Sequence, residues 1–262
     1  MWGAIIGDLA GSIFEFEQTK AVKNICSDEI IPNNAFYSDD TILTVAIIDA
    51  ILGDRNYEKS LRKYGNLYID YKPDFKPYFK NSFSPNFIKW LKSNYNGTSS
   101  GNGAMMRISP IAYLFNDEET IKENVRLATI PSHNSCEAIF YSTLVALIIF
   151  YFRNKLSKEE VIKKLNLTLK YIPFKKFNTT CSETFGNCIY ALFTSSSFEE
   201  SIKKVISYGG DTDTNACIVG SMAEAIYGID FELIEKARKK LPNSFIQILD
   251  KAYKKVKYEG EN

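Results

Sequence analysis

The chain has 262 residues, 45% hydrophobic and 24% charged, with 32 Lys and Arg against 31 Asp and Glu. This ordinary globular composition excludes a disordered chain, and the length suffices to bury a core without disulfides or a structural metal. A net charge of +1 excludes a globally basic nucleic-acid binder, though not a local basic patch. Five cysteines (Cys26, Cys136, Cys181, Cys188 and Cys217) include no C-x-x-C pair and read as reduced thiols of a cytoplasmic protein. His133 is the single histidine, which argues against multi-His zinc chemistry. A metal here would be held by oxygen, which points to Mg²⁺, Mn²⁺ or Ca²⁺.

In chain order, the start MWGAIIGDLAGSIFEFE meets Asp8 early and has no basic region, so no signal peptide is expected. Apolar residues at helical spacing predict a helix over Asp39–Leu52. From Asp54 to Gly103 the chain is rich in Tyr, Phe, Asn and Pro and sets no clear period. Helical spacing resumes over Thr120–Ile130, Asn134–Arg153, Lys158–Tyr171, Glu183–Phe193, Phe198–Ser207 and Thr214–Tyr227. Two further helices are expected over Phe231–Lys240 and Ser244–Val256. The apolar run Ala138–Phe152 is shorter than the roughly twenty residues a bilayer span needs, so it reads as a buried central helix. Strand-like alternation, repeats and linkers are hard to find. The expected fold is all-α, one compact multi-helix domain over residues 1–262, not tied to a membrane.

Four segments interrupt this pattern: Gly7 to Glu15, Ser38-Asp39-Asp40-Thr41, Gly101-Asn102-Gly103 running to Arg107, and Gly209-Gly210-Asp211-Thr212-Asp213-Thr214. Each has a local explanation. Ser, Thr and Asp cap helices, acids suit a first helical turn, and Gly and Asn make turns. His133, after Pro131-Ser132 and near a helix start, reads on its own as a surface or capping residue more readily than as a ligand. Several standard motifs fail. Asp211-x-Asp213-x-Asn215 begins like a calcium loop, but Ala216 and Met222 stand where Gly and Glu are needed. Gly101-x-Gly103 lacks the third glycine of a dinucleotide fingerprint, and neither a P-loop nor a G-x-S-x-G elbow occurs. Two hydroxyl-flanked acid pairs remain, Asp39–Asp40 and Asp211/Asp213. Brought together they would cluster four negative charges, an arrangement that calls for cations.

With these motifs the chain resembles the ADP-ribosylglycohydrolase family. The resemblance runs from Gly3 to about Gly228 through G-D-x-x-G with a following acid, S/T-D-D-T, G-N-G-x-x-M-R, S-H and G-G-D-T-D-T/S. It implies an all-α fold and two Mg²⁺ ions, or Mn²⁺ in their place. Ser38, Asp39, Asp40, Asp211, Asp213 and Thr214 would be metal ligands. Glu15, Asp40 and Asp211 would carry catalysis, and Gly101, Asn102, Gly103 and His133 would contact ADP-ribose. The implied reaction hydrolyses the bond between ADP-ribose and a modified protein or other conjugate. Nucleic acid would enter only as a modified substrate, and a monomer is expected.

Rival readings are a Mg²⁺ phosphohydrolase built on Asp211-x-Asp213-Thr214, a non-catalytic ADP-ribose reader, and a purely structural helical protein. Between Phe75 and Asn116 there is no acid, while Lys76, Lys80, Lys89, Lys92 and Arg107 all occur. If these charges line the pocket rim, no strong preference for an arginine-linked acceptor is expected.

Overall fold

The structure is a computed structural model that describes residues 1–15, 29–74 and 81–260, with side chains to residue 256. Cys26, Lys76 and Lys80 lie outside the described residues. The first helix, α1 (Trp2–Gly11), falls where an interrupting motif was expected. All ten of its residues are buried, so it shows no polar face from which a period could be read.

Helix α2 (Asp39–Leu52) begins at Ser38, whose side chain accepts from the Asp40 N–H. The region without a clear period holds α3 (Tyr57–Leu67) and α4 (Pro85–Leu91), capped by Asn56 and Ser84, and leads into α5 (Gly103–Met106) and α6 (Ser109–Leu114). Helix α7 (Glu118–His133) runs three residues beyond its expected end, because Pro131 is accommodated inside it. The bond that the missing N–H would give Leu127 is forfeited at an exposed position. The carbonyl of Pro131 accepts from Gly97 N (2.8 Å), which ties the preceding loop to this helix end.

Helix α8 (Cys136–Arg153) has the length and apolarity of a membrane span. It packs against α7, α6 and, through α12, the centre of the fold. Helix α9 (Lys158–Leu165) stops short of Tyr171 because Asn166 takes a left-handed conformation (φ 49°) and ends it. Helices α10 (Cys181–Phe193), α11 (Phe198–Ser207), α12 (Thr212–Tyr227), α13 (Phe231–Arg238) and α14 (Asn243–Gly260) follow. Among the described residues there is no strand, only two isolated bridges. The buried side chains form one contiguous hydrophobic cluster.

The pairing of α1 with α12 sets the site. Gly3, Gly7 and Gly11 recur every fourth residue and lie on one face of α1. A Cβ on them would lie 2.1 Å from the carbonyl oxygen of Gly220, 2.0 Å from that of Ala216 and 2.3 Å from that of Thr212. The two backbones are therefore in contact. The Thr212 hydroxyl donates to the Gly11 carbonyl (2.9 Å) and locks the register. These glycines serve helix packing, not ligand approach.

Candidate active site

Asp8 lies inside the apolar helix α1 and is fully buried. Its Oδ2 accepts from the Ser38 N–H (2.9 Å), the Thr41 N–H (3.1 Å) and the Thr41 hydroxyl (2.5 Å). A carboxylate from α1 thus caps the first turn of α2, where orphan N–H groups and the helix dipole favour an anion. Asp40 faces the same centre, its Oδ2 accepting from the hydroxyls of Ser38 (3.1 Å) and Thr214 (3.2 Å). In both acids Oδ1 is buried with no hydrogen-bond partner. Such oxygens are costly unless something positive meets them.

From α12, Asp213 accepts the Thr214 N–H (2.9 Å). Asp211 stands at the helix N-cap but makes no capping bond. Its Oδ2 instead accepts from the Asn102 side-chain amide (2.7 Å), and its N–H donates to Asn178 Oδ1 (2.9 Å). The turn that delivers it needs glycine: Gly209 and Gly210 have φ of 73° and 75°. A Cβ on Gly210 would also lie 2.2 Å from Asn178 Oδ1. Asp39, half-buried, is bonded to Ser82, whose hydroxyl accepts from the Asp39 N–H (2.6 Å).

These acids form two triads. One oxygen from each of Asp8, Asp40 and Asp213 falls within 4.8 Å of the others, and Glu15, Asp211 and Asp213 do the same. Asp213 belongs to both. Burial, then the charge of Asp213, Asp39 and Asp8, pushes Glu15 up to about 9. Burial raises Asp8 to about 6 against its hydrogen bonds, and raises Asp39 and Asp211 to about 7. Asp40 and Asp213 rise well above the usual carboxylate range, through burial and then through Asp213 and Asp211 respectively. A site with so many acids must hold protons or cations.

Beside the triads, the Gly101–Gly103 segment is fixed by backbone bonds from Asn102 N to Thr179 O and from Cys181 N to Ser100 O, both 2.9 Å. A Cβ on Gly101 or Gly103 would lie 3.5 or 3.6 Å from His133 Nε2, so the two glycines flank the imidazole edge. His133 is buried at the C-terminal end of α7, two residues before the Ser135 cap of α8. Arg107 does not line the rim: it is fully buried and donates inward to Ser132 Oγ and Ala128 O. That removes one of the five positive charges read for this stretch, while Lys89 and Lys92 are exposed.

Sequence reasoning missed Asp8 as a site residue, together with Thr41, Ser82, Asn178 and Asn215. Asp8 had a readable signal, an acid inside an apolar run. Asn178 joins the site only through folding, donating to Thr184 and to Asn215 Oδ1 (2.9 Å).

The profile of the ADP-ribosylglycohydrolase family matches residues 1–260. The chain belongs to that family. This ADP-ribosylglycohydrolase-family hydrolase is 28% identical to a protein of Acanthamoeba polyphaga mimivirus named for ADP-ribosyl glycohydrolase activity, over 86% of this chain and 84% of the relative. It is 23% identical to the Homo sapiens ADP-ribosylhydrolase ARH3, covering 87% and 84%. Identity to the ADP-ribosylarginine hydrolase Tri1 of Pseudomonas putida (strain GB-1) is 25%, covering 87% and 69%. A solved structure described as an ADP-ribosylglycohydrolase-related protein complex shares the fold at a TM-score of 0.67, with 17% identity, covering 97% of this chain and 92% of that one.

Proposed function

We propose that this family member is a divalent-metal-dependent hydrolase that releases ADP-ribose from a modified protein side chain or a related conjugate. The observation that carries this is the pair of carboxylate triads joined at Asp213, with the Oδ1 atoms of Asp8 and Asp40 buried and unpaired. Asp8, Asp40 and Asp213 would hold one cation, and Asp211 and Asp213 the other, with Glu15 beside it. Ser38, Asp39 and Thr214 supply further oxygen donors. An all-oxygen donor set with few fixed ligands suits Mg²⁺, and Mn²⁺ equally. When bound, such cations acidify a water and polarise ribose hydroxyls.

The protein's own part is orientation and proton handling. Asn102 aims Asp211, and the hydroxyls of Ser38 and Thr214 aim Asp40. Glu15 is less buried than Asp8, Asp40, Asp211 and Asp213 and stands next to the last two, where it would take the proton from the attacking water. Gly101, Gly103 and His133 would meet the ADP-ribose. Release of ADP-ribose from a modified protein, measured with EDTA and again after added Mg²⁺, tests the proposal. Undiminished release in EDTA would reject metal dependence, and release of inorganic phosphate would favour a phosphohydrolase.

Glu15→Gln is expected to lower kcat about a hundredfold while free ADP-ribose binds with near-normal affinity by calorimetry. Joint collapse of affinity and kcat/KM would make Glu15 a binding or metal residue instead.

Stability should report the same charge cluster. The acids bind protons more tightly in the folded state than in the unfolded chain, whose carboxylates titrate near 4. In EDTA, stability is therefore retained at low pH and lost as pH rises through the folded values of about 6 to 7. A fall in Tm of at least about 5 °C between pH 5 and 8 is expected by scanning calorimetry in EDTA, and saturating Mg²⁺ should abolish it. Identical pH profiles with and without Mg²⁺ would contradict cation binding at these acids.

A further inference from the structure

Behind the glycine-lined pocket, two side chains that the proposed reaction does not use, Arg107 and Ser132, are hydrogen-bonded in series to His133. Arg107 is fully buried, and its guanidinium donates to Ser132 Oγ (2.7 Å) and to the Ala128 carbonyl (3.2 Å). Ser132 Oγ is 2.8 Å from His133 Nδ1. An arginine can only donate, so Ser132 receives a hydrogen from that side. Its own hydroxyl hydrogen then has one acceptor among the described residues, His133 Nδ1. Were Nδ1 protonated, two donors would converge on Ser132 Oγ and the buried hydroxyl hydrogen would have nowhere to go. The backbone that carries the ring is also held: His133 bridges to Thr98, and its carbonyl accepts from Ser135 N (2.8 Å).

We propose that Arg107 and Ser132 are positioning residues that fix His133 as the neutral Nε2–H tautomer, so that the pocket beside Gly101 and Gly103 receives one oriented N–H donor. Two further observations agree. Nε2 is the nitrogen next to both glycines, where no side chain of theirs intervenes. Burial, then the nearby Arg107 charge, holds the imidazole well below its usual range and hence uncharged at physiological pH. Nε2 makes no hydrogen bond among the described residues, so its fixed N–H is available to an acceptor oxygen of the ligand, such as a phosphate oxygen. That this oxygen belongs to an ADP-ribose conjugate rests on the proposed function.

The single histidine makes the test direct. Protein labelled with ¹⁵N in its imidazole gives one pair of ring signals. Nε2 is expected to be protonated and Nδ1 unprotonated across pH 5 to 8. A protonated Nδ1, or a titration within that range, would overturn the proposal without recourse to any variant. Ser132→Ala is expected to mix the tautomers and raise KM about tenfold with kcat less affected, whereas Ser132→Thr, which keeps the hydroxyl, should restore both the spectrum and KM. An unchanged spectrum and KM in Ser132→Ala would also overturn it. Free ADP-ribose added to the wild-type sample should shift the Nε2–H signal. Absence of that shift, with the tautomer as expected, would overturn the ligand-facing role and direct doubt to the substrate class.

Discussion

Asp213→Asn is expected to lower the rate of ADP-ribose release by more than about a hundredfold, and by more than Asp40→Asn or Asp211→Asn. The difference follows from position. Asp40 belongs to the triad with Asp8, Asp211 to the triad with Glu15, and Asp213 to both. Converting it to an amide removes one anionic ligand from each cation site at once and leaves an N–H₂ group facing oxygens that need a positive partner. Asp40→Asn and Asp211→Asn should each cost about a hundredfold. The folded state should survive all three changes, because removing one of several crowded negative charges relieves repulsion in the metal-free protein. Steady-state rates at limiting Mg²⁺, together with Mn²⁺ titration followed by calorimetry, provide the measurement. Near-normal turnover in Asp213→Asn would discard the shared-ligand arrangement.

Gly7→Ala is expected to be the most damaging single methyl group in the protein. Its Cβ would fall 2.0 Å from the Ala216 carbonyl oxygen and 2.6 Å from the Cys217 amide nitrogen, both backbone atoms that no rotamer change can move. The helices α1 and α12 must then separate, at a cost of about 3 kcal/mol or more. For a chain of this size that corresponds to a fall in Tm of roughly 6–12 °C. Because α1 carries Asp8 and α12 carries Asp213, the same separation should weaken Mg²⁺ stabilisation of whatever folded protein remains. Gly186→Ala is the control. Nothing lies within 4 Å of a Cβ there, inside α10, and the change should be neutral or slightly stabilising. Equal stability of Gly7→Ala and Gly186→Ala would refute the backbone-contact account.

Much of this protein is legible in local sequence, where the physics is local. Phe198–Ser207 alternates buried and exposed residues around the helix, and the structure reproduces those bounds. Ser38 caps α2 because a side-chain oxygen two residues from an N–H is a matter of local geometry. Two hydroxyl-flanked acid pairs at helix starts could be singled out for the same reason, and both do lie at the starts of α2 and α12. Local rules fail where burial surrounds an element or a partner replaces a lost bond. Helix α1, buried on every face, has no stripe to read, and α7 runs through Pro131 because its end is tied to Gly97.

That the two acid pairs meet is a tertiary fact. Asp40 and Asp213 are separated by most of the chain and converge because α1 packs against both of their helices. Three glycines let its backbone touch that of α12, and Asp8 anchors it to the first turn of α2. The same holds for Arg107, whose charge suggested an exposed rim. Only the packing around it shows a buried guanidinium turned toward Ser132 and His133. A residue's type sets which bonds it can make, and the sequence displays that. Which partner lies within about 3 Å depends on how close two backbones can come, and only the assembled helices decide it.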